Sequence, residues 1–118
     1  ETQLRNAVAR TRAARRAVEA APYLRPHSGF SQAIEMAVVD AYAKPNPLDR
    51  ELTLDRFRWT LLDDFSRGAP FGLASVLAYA LKLRLSARWA ALADEAGRQK
   101  LKESIAAVRA AAVPVAAG

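Results

Sequence analysis

The sequence predicts an all-α fold: a compact bundle of about five helices with no strands. Three observations lead there. Apolar residues recur at three- and four-residue steps over most of the chain, the spacing of one helix face. Breaks bearing Pro or Gly separate these stretches. No segment shows sustained two-residue alternation between hairpin turns, which is what strands require. Of the 118 residues, 27 are Ala, a residue that favours helix more than it fills volume.

The first helix is read over residues 3 to 20. Leu4, Ala7, Val8, Thr11, Ala14 and Val18 form its stripe. Arg5, Arg12 and Arg16 fall almost in line on the other side, because steps of seven and eleven residues are close to whole turns. Pro22 and Pro26 end it, and residues 21 to 30 read as a loop. Ser31 is the expected cap of a second helix over 32 to 43, with Ile34, Val38 and Tyr42 on one face. Lys44-Pro45-Asn46-Pro47 is a stiff break.

A third helix, about 48 to 67, is apolar on two sides: Leu54, Phe57, Leu61 and Phe65 on one, Leu52, Trp59 and Leu62 on much of the other. An element of that kind is normally central, with neighbours on both flanks. Gly68 suits a left-handed cap and Pro70 cannot continue the helix. The fourth helix, about 73 to 92, carries Leu73, Val76, Leu77, Ala80, Leu81 and Leu85. Asp94 is read as the cap of a last helix near 95 to 112, striped by Leu101, Ile105 and Val108. Pro114 closes it, and the Ala/Val/Gly end is expected to fray. The predicted core is therefore Phe57, Trp59, Leu61, Phe65, Leu77, Leu81 and Trp89.

The length suits one helical domain spanning 1 to 118. The start at Glu1, without an initiator Met, suggests the C-terminal fragment of something longer. Lys82, Arg84 and Arg88 interrupt the best apolar window, so no stretch reaches the roughly 18 uncharged residues of a membrane span. There is no Cys, which excludes disulfides and thiolate metal sites and weakly favours the cytoplasm. Net charge is +6, and 14 of the 18 cations are Arg. That balance favours an acidic protein, a nucleic acid or an anionic membrane as neighbour.

Chemistry-bearing constellations are not evident. His27, the one histidine, lies between Pro26 and Ser28 with no nucleophile or orienting carboxylate legible beside it. Neighbours Asp63 and Asp64 point roughly 100° apart on a helix, so a solvated acidic end with Asp63 paired to Arg67 is favoured over a catalytic dyad. The glycines do not form a phosphate cradle, which needs several at a strand-to-helix turn. The expectation is no catalytic, cofactor or metal site. Arg5, Arg12 and Arg16 are the candidate partner-binding residues, since guanidinium forks pair well with carboxylate or phosphate. Residues 1 to 27 hold six Arg against two Glu. Trp59 and Trp89 read as core fillers more readily than as interface anchors, each beside an Arg (Arg58, Arg88) able to stack on it.

Two stretches, LDRELTLDRFRWTLLDDF and PFGLASVLAYALKLRLSARWAALADEAGRQKLKESIAAV, resemble the C-terminal part of an uncharacterised bacterial family encoded among V/A-type ATPase genes. The opening LRNAVARTRAARRAVEAAPYL matches in kind, so the resemblance runs from about Leu4 to Val108. Its most specific elements are the Arg58-Trp59 pair and the Arg88-Trp89 pair with Leu83 before it. Ala93 departs from the Asp cap that relatives favour. A looser similarity reaches the C-type (in eukaryotic V-type enzymes, d-type) component of V/A-type ATPases, an all-helical protein that caps the rotor ring and receives the central shaft.

The resemblance implies a non-catalytic structural, coupling or accessory component of a rotary ATPase. Its partners would be other subunits of that machine, in the central shaft or membrane ring. It would be cytoplasmic and peripheral to the membrane through the complex, with no small-molecule substrate and no cofactor. The alternative from another class is a nucleic-acid-binding helical module driven by Arg. An enzyme using His27 or Asp63 has no encouragement from the spacing.

Overall fold

The structure, a computed structural model, describes residues 1–112. Five α-helices follow one another: α1 (Thr2–Arg15), α2 (Gln32–Ala43), α3 (Pro47–Arg67), α4 (Leu73–Ala90) and α5 (Asp94–Ala111). A 3₁₀ turn, Ala21–Tyr23, interrupts the link from α1 to α2. No strand occurs among the described residues, and the protein is all-α, as predicted. The expected closure at Pro114 and the fraying end lie outside the described residues.

Helix α1 stops five residues before its expected end. Ala17 adopts a left-handed φ of 53°. Val18 N–H donates to Ala13 O at 3.0 Å and Ala17 N–H to Ala14 O at 3.3 Å. These two bonds close the last carbonyls of the helix, a termination usually marked by Gly. Here an Ala takes the position, and the sequence carries no signal of it.

Helix α2 has the predicted bounds. Ser31 is its N-cap residue, but its side chain makes no capping bond. Asn46 caps α3 instead of leaving the break bare: its Oδ1 accepts from Leu48 N–H at 2.8 Å, and Pro47 occupies the first helical position. Gly68 ends α3 with φ −76°, so the left-handed cap expected there is not formed. The turn into α4 is held by Ser75, whose hydroxyl donates to Ala69 O at 2.6 Å. Gly72 belongs to that turn, and a Cβ there would come within 3.1 Å of the Ala69 Cβ. Ala93, not Asp94, is the N-cap of α5; Asp94 and Glu95 sit in its first turn, where their charge favours the helix N-terminus.

The chain forms two compact units, Glu1–Ala78 and Tyr79–Gly118, divided inside α4. In the first unit α2 packs on both α1 and α3. The core cluster there is Leu4, Ala7, Val38, Ala41, Tyr42 and Leu54, with Val8, Ile34 and Phe57 against it. In the second unit none of the described residues is buried, though Leu85 and Trp89 are half-buried. The Arg88 guanidinium lies 6.0 Å from the Trp89 ring centroid, as the sequence suggested.

The predicted core therefore needs correction. Phe57 does pack against the cluster, and Leu61 and Trp89 are half-buried. Trp59, Phe65, Leu77 and Leu81 are exposed. For α3 the reason is length. Helix α2 has 12 residues and α3 has 21, so at 1.5 Å per residue they run roughly 18 Å and 32 Å. The first half of α3 meets α2 through Leu54. Its second half, with Trp59 and Phe65, extends past that cover.

Two amides pin the long link between α1 and α2. Asn6 Nδ2 donates to Arg25 O at 2.7 Å while its Oδ1 accepts from Arg25 N–H at 3.0 Å. Gln3 repeats the arrangement on Ser31: Nε2 donates to Ser31 O at 2.8 Å and Oε1 accepts from Ser31 N–H at 2.9 Å. Each side chain offers one donor and one acceptor in the manner of a second backbone strand. Residues 3 and 6 are neighbours on the helix face, so one edge of α1 grips both ends of the segment 25–31. Both are buried, and their polar groups are satisfied.

Candidate functional site

Arg5 and Arg12 of α1, with Arg16 at its C-cap, line a hollow of about 430 Å³. The row predicted from spacing thus becomes part of a concave surface. Arg58 and Glu51 from α3 also line it, and Val8 and Val18 supply apolar surface above the buried Leu54. Every lining residue belongs to the first unit.

The four arginines are not equivalent. Arg5 Nε reaches Glu1 Oε1 at 3.1 Å, an exposed pair one turn apart and worth little by itself. Arg12 Nε donates to the Tyr42 hydroxyl at 2.7 Å, and its Nη2 stands 3.7 Å from Glu51 Oε1. Arg58 donates to Asp55 Oδ1 at 2.6 Å and approaches Glu1 at 3.4 Å. Arg16 makes no side-chain hydrogen bond or ion pair among the described residues, and it is exposed. Of the four, then, Arg12 and Arg58 also tie the fold, Arg5 pairs loosely within its own helix, and Arg16 is the free cation among the described residues.

Burial and charge compete beside the hollow, where Arg58 meets Glu1. Burial pushes the Glu1 carboxyl up, but the Arg5 hydrogen bond and the Arg58 charge outweigh it and leave its pKa below the ordinary carboxylate value. Burial likewise works against the Arg58 guanidinium, yet Glu1 and Asp55 overcome it and raise its pKa. Both groups are held charged by each other, the pattern of a partly buried ion pair with hydrogen bonds.

Behind the Arg row lies an arginine setting around one buried tyrosine. The Arg15 and Arg50 guanidiniums lie 4.9 Å and 5.6 Å from the Tyr42 ring centroid. Arg12 holds its hydroxyl, and Arg15 also donates to its backbone carbonyl. Guanidiniums over an aromatic face are attracted by its quadrupole. Arg10 turns to α2 and grips both oxygens of Glu35, at 2.8 and 3.0 Å. Gln3 donates to the same carboxylate at 3.1 Å. The Gln3 hydrogen bond, with Arg10 adding to it against burial, lowers the Glu35 pKa.

Sequence reasoning found Arg5, Arg12 and Arg16 but missed Arg58, Glu51 and Tyr42. These come from α2 and α3, and only folding brings them to α1. The paired amides had a legible signal, polar residues three apart inside an apolar helix face, that went unused. His27 is exposed, its Nδ1 3.5 Å from Ser28 O. Arg67 pairs with Asp64 at 3.3 Å. Among the described residues no group of His, Cys, Asp and Glu could hold a metal, and no helix is long and apolar enough to cross a membrane.

What these elements define is an all-helical protein with a concave surface lined in part by arginine. Residues 32–111, more than half of the chain, match the family described as "Protein of unknown function (DUF2764)", and the chain belongs to that family. The match begins at α2, so the Arg row of α1 precedes it. No curated protein and no solved structure matches the chain.

Proposed function

We propose that this chain is a non-catalytic part of a V/A-type rotary ATPase, with a coupling or accessory role similar to that of the rotor cap, acting through contacts with other subunits in the central shaft or membrane ring. One observation carries the contact role. Large apolar side chains stand in solvent across the end of α3 and the start of α4: Phe65, Phe71, Leu73 and Val76 are all more than half exposed. A cluster of that kind marks a surface used for association. The choice of machine rests on the resemblance of the quoted stretches to proteins encoded with V/A-type ATPases. In this reading the protein is cytoplasmic and reaches the membrane only through the complex.

The nucleic-acid alternative draws less support from the side chains. Arg10, Arg12, Arg15, Arg50 and Arg58 are engaged within the chain. Those are five of the ten arginines in the first unit, which lowers the number able to neutralise phosphates, and affinity for nucleic acid grows with that number.

The test is co-purification of the tagged protein from its native host. Rotary-ATPase subunits, identified by mass spectrometry, should be recovered with it. Recovery of the protein without any of them overturns the reading. A mobility assay at low salt addresses the alternative, which predicts a shift that fades steeply as salt rises.

A further inference from the structure

The hollow beside α1 combines two kinds of surface. Arg5, Arg12 and Arg16 share its lining with Val8, which stands between the first two on the same stripe of α1, and Val18 adds exposed apolar surface. Its side-chain charges nearly cancel. Arg5, Arg12, Arg16 and Arg58 face Glu51 in the hollow and Glu1 and Asp55 beside it, which leaves a surplus of one cation. Arg16 is that surplus, since its side chain has no partner among the described residues. Arg12 stands one helical turn away, so both forks can reach a single group. Its approach to Glu51, at 3.7 Å between exposed side chains, is too long for a hydrogen bond and easily exchanged.

We propose that this hollow binds an acidic, apolar-flanked segment of a protein partner. An Asp or Glu carboxylate of that segment sits between Arg12 and Arg16, and an adjoining apolar side chain lies on Val8 and Val18. The proposal rests on the reading that the chain works by protein contact, and it names the chemistry of what is contacted. Charge complementarity selects the occupant. One carboxylate matches a surplus of one cation. A phosphate backbone would bring successive charges against Glu1, Glu51 and Asp55. The volume, at the small end for ligand sites, suits a few side chains.

The test is fluorescence anisotropy on the full chain with a labelled acetyl-Leu-Glu-Leu-amide peptide. Binding is expected, and replacing the Glu by Gln, or both Leu by Ser, should weaken it several-fold. Arg16→Glu should weaken it about fivefold or more, the scale of losing one charge-assisted contact. Arg109→Glu, the same charge change on α5, should leave it unaltered. Because Arg16 is exposed and unpartnered, R16E should keep the fold, with a melting temperature lowered by only a few degrees through the acid placed at the C-terminal end of α1.

Equal binding by R16E and wild type overturns the proposal, as does an equal loss in R109E. Octanoate separates the sources of the carboxylate. If it displaces the peptide while the peptide gains nothing over octanoate, the site takes a free acid and the peptide proposal falls. If inorganic phosphate competes as well as the peptide, the apolar surface has no role and the proposal also falls. Co-purification with R16E keeps the two ideas apart. ATPase subunits recovered equally by wild type and R16E would sink the hollow and leave the contact reading standing. Peptide binding that depends on Arg16, without recovery of those subunits, would do the reverse.

Discussion

The two units solve the same problem differently. In Glu1–Ala78 the apolar stripes of α1, α2 and α3 meet one another, and Leu4, Val38 and Leu54 are almost wholly removed from water. From Tyr79 onward the stripes are as regular, yet Leu83, Leu101, Ile105 and Val108 remain in solvent. Periodicity specifies a helix and its apolar face in both. What differs is whether another element of the chain meets that face. A helical stripe is a statement about one element, whereas a core is a statement about pairs.

The largest expected effect tests this contrast directly. Leu54→Ala removes a buried side chain from the α2–α3 contact and should destabilise by about 2–5 kcal/mol. Leu101→Ala, on the exposed stripe of α5, should change stability by about 0.5 kcal/mol or less. Chemical denaturation of both variants measures the difference. Equal losses would mean that the second unit is as well covered as the first.

Next in size is the amide clamp. Asn6→Ala leaves the Arg25 N–H and carbonyl without their partner and should cost about 1–3 kcal/mol. Hydrogen exchange at the Arg25 amide should accelerate, while amides of α5 keep their rates. A clamp without energetic weight would show neither change.

Ala17→Gly should act in the opposite direction. The left-handed φ of 53° is unfavourable for Ala and free for Gly. Relief of that strain, less the added freedom of the unfolded chain, should stabilise by about 0.5–1 kcal/mol, read as a raised melting temperature.

The smallest effect is on pH. The folded pKa of Glu35 lies below the usual 4.5. Its contribution is therefore present above 4.5 and lost as pH falls through the lower folded value. Arg10 and Glu35 are partly exposed, so the change should be slight. Glu35→Gln should flatten the acid limb of stability below pH 4.5, and an unchanged limb would show that the pair has no role there.

Much of the fold was legible in the residues, because its signals are local. The bounds of α2 follow from Ser31 and the Pro45 break, and those of α3 and α4 from Pro47 and the Gly68–Gly72 stretch. The end of α1 was not legible, since the termination uses Ala17 where Gly is the usual sign. The core was misplaced onto α3 and α4 because bulk was taken as evidence of burial. Volume says how much a side chain gains if covered, not whether it is. At the hollow, the α1 arginines were legible from their spacing. Arg58, Glu51 and Tyr42 were not, since nothing in sequence places residues thirty or more positions away beside them.

The alanines at the contact of the first two helices have a further consequence. Ala7 and Ala41 are both buried in the cluster where α1 and α2 meet, and small side chains there let two helix axes draw close. Across this contact the guanidiniums of Arg12 and Arg15 reach the hydroxyl, ring and carbonyl of Tyr42 on the next rod. Ala41, with no accessible surface, leaves no room for added bulk. A larger residue at either position would separate the rods and loosen the arginine grip before it emptied any cavity. Among so many similar residues, these two set a distance.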